Sequence, residues 1–469
     1  MQIDQSIFKA YDFRGIYPTQ LNEEIMERVG RAFVEFLDAK EVLVGWDMRL
    51  SSEALKNAFT IGATKQGAKV IQLGMVTTDA LYFASGKYNL PGVMITASHN
   101  PKDYNGVKFC RAMAAPVSQD TGLLDIKEKV LRNEFVDAPV AGSVEERVNT
   151  LEAFSEHCFK FVDKDKIKPL KIAIDTGNGM AGKLLPIVLK SLPCKIEPLY
   201  FELDGNFPNH QPSPIEKANN LDLIAKIKEL KFDLGLAFDG DGDRVFFFDE
   251  NGEMLDSSFI TAMIAQKLLE KNPGGKVIYT VVVSHAVPDL VRSLGGEALL
   301  SRVGHSYIKD LMKTSDAIFA GEHSGHYYFR DNFRADSGVI AALIVMEMLS
   351  ESEKKMSELI REFQTYYKIE ETNSKVENAA EIINKIKEKF RANITQEFDG
   401  VTFDFGDWWF NVRSSNTEPL LRLNLEAKDK KVMAKKTVEI LRMIRAQVQS
   451  LKVKVKSPEF ESKIFNRAS

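Results

Sequence analysis

Three cysteines in 469 residues are too few for a disulfide framework, and Cys110, Cys158 and Cys194 stand 48 and 36 residues apart, which also excludes a short-spaced zinc motif. Free thiols fit a reducing compartment, so the expected location is the cytoplasm. Net charge is scarce too: 62 basic against 66 acidic residues leave −4, and neither half of the chain is strongly basic. That excludes a general nucleic-acid binder but leaves room for a local basic pocket taking one or two phosphates. No long apolar run is present. The longest, residues 339–346, is stopped by Glu347 well short of the roughly 18 apolar residues that span a bilayer, so it reads as a buried helix and no membrane contact is expected. The N-terminal Met1-Gln2-Ile3-Asp4-Gln5 is acidic and lacks the basic and apolar segments of a signal peptide.

What is present is an ordinary globular composition, 44% hydrophobic and 27% charged, over a length that suggests about three or four domains. Short apolar runs followed by loops and helix-period segments recur along the first three quarters, an α/β pattern with largely parallel sheets. Four runs end in a small-residue or acidic loop, at residues 42–47, 172–177, 236–240 and 317–322, and resemble a weak internal repeat. Ligand sites in open parallel sheets lie beyond the carboxyl ends of strands, so these loops are where chemistry is expected. The polar stretch 370–375 marks a boundary. Beyond it, residues 379–390 have helical spacing, 401–405, 408–412 and 420–425 read as strands, and 432–448 as a helix, together a small α+β domain. Softer boundaries fall at Ala141-Gly142-Ser143, before a helical stretch near 149, and at the Asn251-Gly252 hairpin, before another near 256.

Four constellations could carry chemistry. Thr96-Ala97-Ser98-His99-Asn100-Pro101 follows an apolar run and precedes residues 104–109, which include Lys108. A serine there can be a nucleophile or phosphate carrier, or part of a plain turn. A serine hydrolase is disfavoured, because there is no Gly-x-Ser-x-Gly elbow and adjacent Ser98 and His99 would point apart if extended. Asp239-Gly240-Asp241-Gly242-Asp243-Arg244 packs three carboxylates into five positions, where they repel unless a cation sits among them. An EF-hand fails on context: Arg244 stands where that loop needs Gly, and strand-like phenylalanines follow.

The third constellation, Gly321-Glu322-His323-Ser324-Gly325-His326, has His305 upstream. Glu322 and Ser324 can reach adjacent sugar hydroxyls, and the histidines can bind phosphate or move protons. Their spacing lacks the helical pair or neighbouring cysteine of a zinc site. The fourth, Arg413-Ser414-Ser415-Asn416-Thr417-Glu418-Pro419 with Arg422 following, suits a phosphate dianion through charge-assisted hydrogen bonds, the alternative being a turn.

These four stretches, in this order and spanning nearly the whole chain, resemble the α-D-phosphohexomutase superfamily. Residues 96–101 resemble its phosphoserine loop, 239–244 its magnesium loop, 321–325 its sugar-specificity loop and 413–417 its phosphate-binding loop. Tyr11-Asp12-Phe13-Arg14-Gly15 resembles its N-terminal active-site segment, and residues 205–210 a stretch in its second domain. Residues 326–331 and 407–410 are similar to bacterial phosphomannomutases and bifunctional phosphomannomutase/phosphoglucomutases. His323 stands where many mannose/glucose enzymes carry Met and glucosamine enzymes tend to carry Gln, and residues 280–284 lack a lysine that some bifunctional members carry.

The resemblance implies three related α/β domains with mixed, largely parallel sheets plus a C-terminal α+β domain, around a central cleft, at 1–148, 149–253, 254–368 and 369–469. It implies a phosphoryl group on Ser98, with Mg²⁺ held by Asp239, Asp241, Asp243 and one phosphoserine oxygen, and positive charge from Arg14, Lys108 and Arg244. Ser98 then donates to a hexose 1-phosphate or 6-phosphate, giving a hexose 1,6-bisphosphate that returns its other phosphate. His99, in the serine loop, is expected among the catalytic residues, and Lys108 or His326 serves as acid or base. Tyr11, His305, Glu322 and Ser324 contact the sugar, while Arg413, Ser415, Asn416, Thr417 and Arg422 hold the non-reacting phosphate. Partners are phosphorylated hexoses, mannose and also glucose, and the expected state is monomer or homodimer. The rival readings are a phosphoglucosamine mutase and a non-catalytic sugar-phosphate-binding protein.

Overall fold

The computed structural model describes residues 3–376, 378–414 and 420–450, with side chains described as far as residue 445. Ser415, Asn416 and Thr417 lie outside the described residues. Four sheets follow one another along the chain. The first has the spatial order Asp12–Ile16, Tyr104–Cys110, Gly92–Ile95, Glu41–Trp46, Lys69–Met75, Val144–Glu146. Its last four strands are parallel, and Tyr104–Cys110 runs antiparallel to both neighbours. Parallel pairing demands crossovers, supplied by helices such as Ser52–Lys65 and Thr78–Tyr88.

The second sheet orders Val245–Phe248, Leu234–Phe238, Lys171–Asp175, Lys195–Leu199, with only the first strand antiparallel. The third orders Glu297–Ser301, Lys276–Thr280, Phe319–Gly321, Tyr327–Phe329, Ala335–Asp336, parallel over its first three strands. In all three sheets a buried parallel strand ends in a loop that turns directly into an antiparallel neighbour. Those turns are residues 96–103, 239–244 and 322–326, so the three loops occupy one structural position repeated three times. The repeat read from the sequence is therefore two superimposed repeats: residues 236–240 and 317–322 end the strand before this turn, whereas 42–47 and 172–177 end the neighbouring strand.

The fourth sheet is antiparallel, ordered Tyr367–Lys368, Leu420–Ala427, Trp408–Ser414, Val401–Asp404, Ile394–Gln396, and helices Ala379–Lys389 and Lys430–Ser450 accompany it. The polar stretch expected as a plain boundary contains a strand, Thr372–Lys375, paired with Leu420–Ala427. Its side chains are all polar and half-buried or exposed, so the apolar alternation that announces a strand is missing. The helix Gly338–Ser352 is buried nearly all round, as the run at 339–346 foretold. No helix among the described residues is long and apolar enough to cross a membrane.

One apolar cluster runs from Leu43 through Phe154, Phe238 and Leu343 to Tyr366 and joins the first three sheets, while the fourth sheet has its own core around Phe403, Phe410 and Ile440. The first three loops are thus fixed against one another by a shared interior.

Candidate active site

Ser98 is buried and adopts φ 51, the left-handed region that costs a non-glycine residue free energy unless its surroundings hold it there. Arg49 does so. Its guanidinium donates to the carbonyls of Ser98 (2.8 Å), Asn100 (2.7 Å), Pro101 (2.8 Å) and Tyr104 (2.8 Å), and it pairs with the buried Asp47 at 3.3 Å. The serine loop is therefore clamped around one buried cation. The left-handed turn also corrects the expectation for an extended loop: Ser98 Oγ lies 3.3 Å from His99 Nδ1 instead of pointing away.

Ser98 Oγ donates to Asp239 Oδ2 at 2.8 Å and accepts from Arg244 Nη2 at 2.9 Å, so a first-sheet hydroxyl sits inside the second-sheet acidic loop. Gly240 permits that approach, because a Cβ there would fall 2.4 Å from the Ser98 carbonyl oxygen. Arg244 also meets His99 Nδ1. Burial, then the Arg244 and Arg14 charges, push His99 down to about 2, so it is neutral at physiological pH. Arg14 sits one step back, donating to Asp12 Oδ2 (2.7 Å), Asn100 Oδ1 (2.7 Å) and the Ala97 carbonyl (3.3 Å).

Asp239, Asp241 and Asp243 are buried and present ligand oxygens within 4.8 Å of one another. Asp241 Oδ1 and Asp243 Oδ1 are buried without a hydrogen-bond partner, and an all-carboxylate donor set suits a hard divalent cation. The triad therefore fits a metal ion. Lys108 Nζ reaches Asp241 Oδ2 at 2.6 Å and Asp243 Oδ2 at 2.7 Å. Burial alone would lower the lysine's pKa, yet the two carboxylates hold it well above the usual range.

The sugar-loop candidates lie beside this centre. Glu322 accepts from Tyr328 Oη (2.7 Å) and Gly304 N (3.2 Å), and Ser324 Oγ lies 2.8 Å from His326 Nδ1. His326 Nε2 is 3.8 Å from Asp243 Oδ1 and 3.9 Å from Asp336 Oδ2, so it bridges the acidic loop and the third sheet. Tyr11 packs edge-on against His305, ring centres 5.0 Å apart, bringing the N-terminal segment to the same cleft. Among the described residues His326 groups with Asp243 and Asp336, ligand atoms within 4.8 Å of one another, and His305 and His323 are not part of that group. On the fourth sheet, Arg413 and Arg422 face each other across neighbouring strands.

Some residues in this network carry no motif. Thr78 Oγ1 donates to Asp241 Oδ2 at 2.5 Å, Lys309 pairs with Asp336 at 3.0 Å, and Lys368 Nζ reaches Asp256 Oδ2 at 3.0 Å and His323 Nδ1 at 3.5 Å. Asp47 ends one of the apolar runs, a signal that could have found the Arg49 clamp; isolated polar residues such as Thr78 and Lys309 give none.

Models of phosphoglucomutase/phosphomannomutase match the chain in four consecutive segments. The three alpha/beta/alpha domains match residues 5–137, 150–252 and 256–367, and the C-terminal domain matches 371–443. The chain belongs to the phosphoglucomutase/phosphomannomutase family. It is 39% identical over 449 residues to a phosphomannomutase of Escherichia coli, covering 93% of this chain and 98% of that one. A phosphomannomutase of Methanocaldococcus jannaschii is 38% identical over 444 residues, covering 94% and 98%. The crystal structure of a phosphoglucomutase/phosphomannomutase family protein from Burkholderia thailandensis superposes with a TM-score of 0.86 at 31% identity, over 95% of this chain and 98% of that one. Membership makes the chain an enzyme, a hexose-phosphate mutase, and the mixed sheets with their flanking helices are the family's fold.

Proposed function

We propose that the enzyme interconverts the 1-phosphate and 6-phosphate of mannose, and also of glucose, with Ser98 carrying the transferred phosphoryl group. The observation that carries this reading is the placement of Ser98 Oγ, 2.8 Å from Asp239 Oδ2 and 2.9 Å from Arg244 Nη2, inside a triad with unpartnered carboxylate oxygens. Asp239, Asp241 and Asp243 would hold Mg²⁺, which when bound neutralises the triad and draws charge from the phosphoryl oxygens. In the first half-reaction the Ser98 Oγ–P bond breaks as a bond forms from phosphorus to the free sugar hydroxyl, whose proton leaves. Arg244 donates to the serine oxygen that accumulates charge. His326, whose Nε2 lies 3.8 Å from Asp243 Oδ1, would take and return that proton, while Lys108, held protonated by Asp241 and Asp243, adds positive charge beside the transferred group. The second half-reaction reverses the first at the other end of a hexose 1,6-bisphosphate, which also primes the enzyme.

Glu322, Ser324, His305 and Tyr11 orient the sugar, and Arg413 and Arg422, with Ser415, Asn416 and Thr417, hold the phosphate that does not react. One fixed anion site accepts either end of the substrate, so the sugar turns over while its phosphate contacts persist. The roles divide by unit: residues 1–148 carry the serine, 149–253 the metal triad, 254–368 the sugar contacts and 369–469 the phosphate contacts. The protein works in the cytoplasm as a monomer or homodimer. Turnover with Mg²⁺ on mannose, glucose and glucosamine 1-phosphates tests the assignment. Mannose and glucose phosphates should turn over fastest, chelation should abolish activity, and Ser98→Ala should remove nearly all of it. A preference for the glucosamine phosphate, or a Ser98→Ala variant near wild-type turnover, refutes it.

A further inference from the structure

Arg413 and Arg422 are register partners across the strands Trp408–Ser414 and Leu420–Ala427, an arrangement of like charges that destabilises a sheet unless something neutralises it. The neutralising group is Glu371. Arg413 Nη2 donates to Glu371 Oε2 at 2.8 Å, Arg422 Nη1 to Oε1 at 3.1 Å, and Asn424 Nδ2 to Oε2 at 2.9 Å. Both carboxylate oxygens are therefore used, against three donors from two neighbouring strands. Burial pushes the Glu371 carboxyl up, but Arg413, Asn424 and Arg422 together hold it below the usual carboxylate range, so it stays an anion. Among the described residues Asp399 is the other acid near the pair, 3.9 Å from Arg413 Nη1, and it is engaged elsewhere by the Val303 amide at 2.9 Å. Meanwhile Arg413 Nε and Arg422 Nε are buried without a hydrogen-bond partner, so the two guanidiniums have donor capacity that one carboxylate does not fill.

We propose that Glu371 is a built-in counter-anion of the phosphate site: its carboxylate stands in for substrate phosphate between turnovers, keeps the two arginines together, and sets how tightly they take a phosphate. The inference rests on the reading of Arg413 and Arg422 as the site of the non-reacting phosphate. A carboxylate and a phosphate draw on the same N–H donors, so the bound phosphate competes with Glu371 for charge and for hydrogen bonds. The device trades affinity for exchange. With two guanidiniums and no carboxylate, the site would hold a dianion too firmly for a sugar that must reorient and then leave. Glu371 lies three residues past Lys368, whose Nζ grips Asp256 and stands beside His323 of the sugar loop, so this one connector links the arginine pair to that loop.

The test is titration calorimetry of wild type, Glu371→Gln, Glu371→Asp and Arg413→Ala with mannose 6-phosphate and with inorganic phosphate. Glu371→Gln keeps the shape and an acceptor oxygen but removes the charge, so it should bind both ligands more tightly, by about tenfold, with a lower KM and a lower kcat as product leaves slowly. Glu371→Asp keeps the charge and should stay near wild-type affinity. Unchanged or weaker binding by Glu371→Gln overturns the proposal, because a residue that only props the arginines in place would lose affinity when altered. Arg413→Ala separates the two layers: if it binds both ligands like wild type, the phosphate-site reading itself falls, and with it the counter-anion. Should Glu371→Gln not fold in phosphate-free buffer, inorganic phosphate must restore folding, since the dianion replaces the missing charge, and failure to do so also overturns the proposal.

Discussion

At the residue scale the molecule spends its buried charges on holding loops. Arg49 has four carbonyl acceptors and a buried aspartate, and Lys108 has two carboxylates. Glu426 is held differently. It accepts from the His285 amide at 2.6 Å and from Trp409 Nε1 at 2.5 Å, yet its second oxygen is buried without a partner. Burial raises its carboxyl from the ordinary 4.5 to about 7, against the opposing charge of Lys368 and the hydrogen bonds from Ser284, His285 and Trp409. The sign follows: the folded protein keeps this proton at a pH where the unfolded chain has released it. Its contribution to stability is full below about 4.5 and is lost as pH rises through about 7. Glu426→Gln should therefore be more stable than wild type at pH 8, by on the order of 3 kcal/mol or less, with the gap closing near pH 5. Denaturant unfolding at the two pH values checks this, and a variant less stable at pH 8 would contradict it.

At the element scale the organising feature is a turn used three times, from a buried parallel strand into an antiparallel one. It places the serine, the acidic loop and the sugar loop at equivalent sheet positions, and the shared core brings those ends together. The contact between the first two turns is backbone against backbone at Gly240, where an added Cβ would meet the Ser98 carbonyl at 2.4 Å. Gly240→Ala must push the serine loop away from Asp239. Overpacking of this kind costs about 1–3 kcal/mol, and misplacement of the reacting oxygen should cost roughly a hundredfold in kcat. Melting and turnover measured together check it: a variant with reduced stability but full kcat would show that the loop separation does not matter.

The acidic loop was legible because three carboxylates in five positions demand a cation wherever they fold, and the serine loop because it follows an obvious buried strand. The clamp around Arg49 was not, since its partners are backbone carbonyls, which every sequence has. Nor was Glu371, because one of two adjacent glutamates just before a polar strand looks like solvated linker until Arg413 and Arg422 are seen to bond it.

At the scale of the whole molecule, three units share one interior and the fourth has its own, so Ser98, the acidic triad and Glu322 are carried around one core while Arg413 and Arg422 sit on the sheet that encloses another. That division suits a reaction in which one end of the substrate stays held while the other is exchanged. The account stands or falls on whether Ser98 carries the phosphoryl group. Intact-mass measurement after incubation with Mg²⁺ and glucose 1,6-bisphosphate decides this most directly, with fragmentation to locate the modification. Wild type should gain one phosphate, on Ser98, and Ser98→Ala should gain none. A phosphate on another residue, or an equal gain by Ser98→Ala, would contradict the mechanism at its centre.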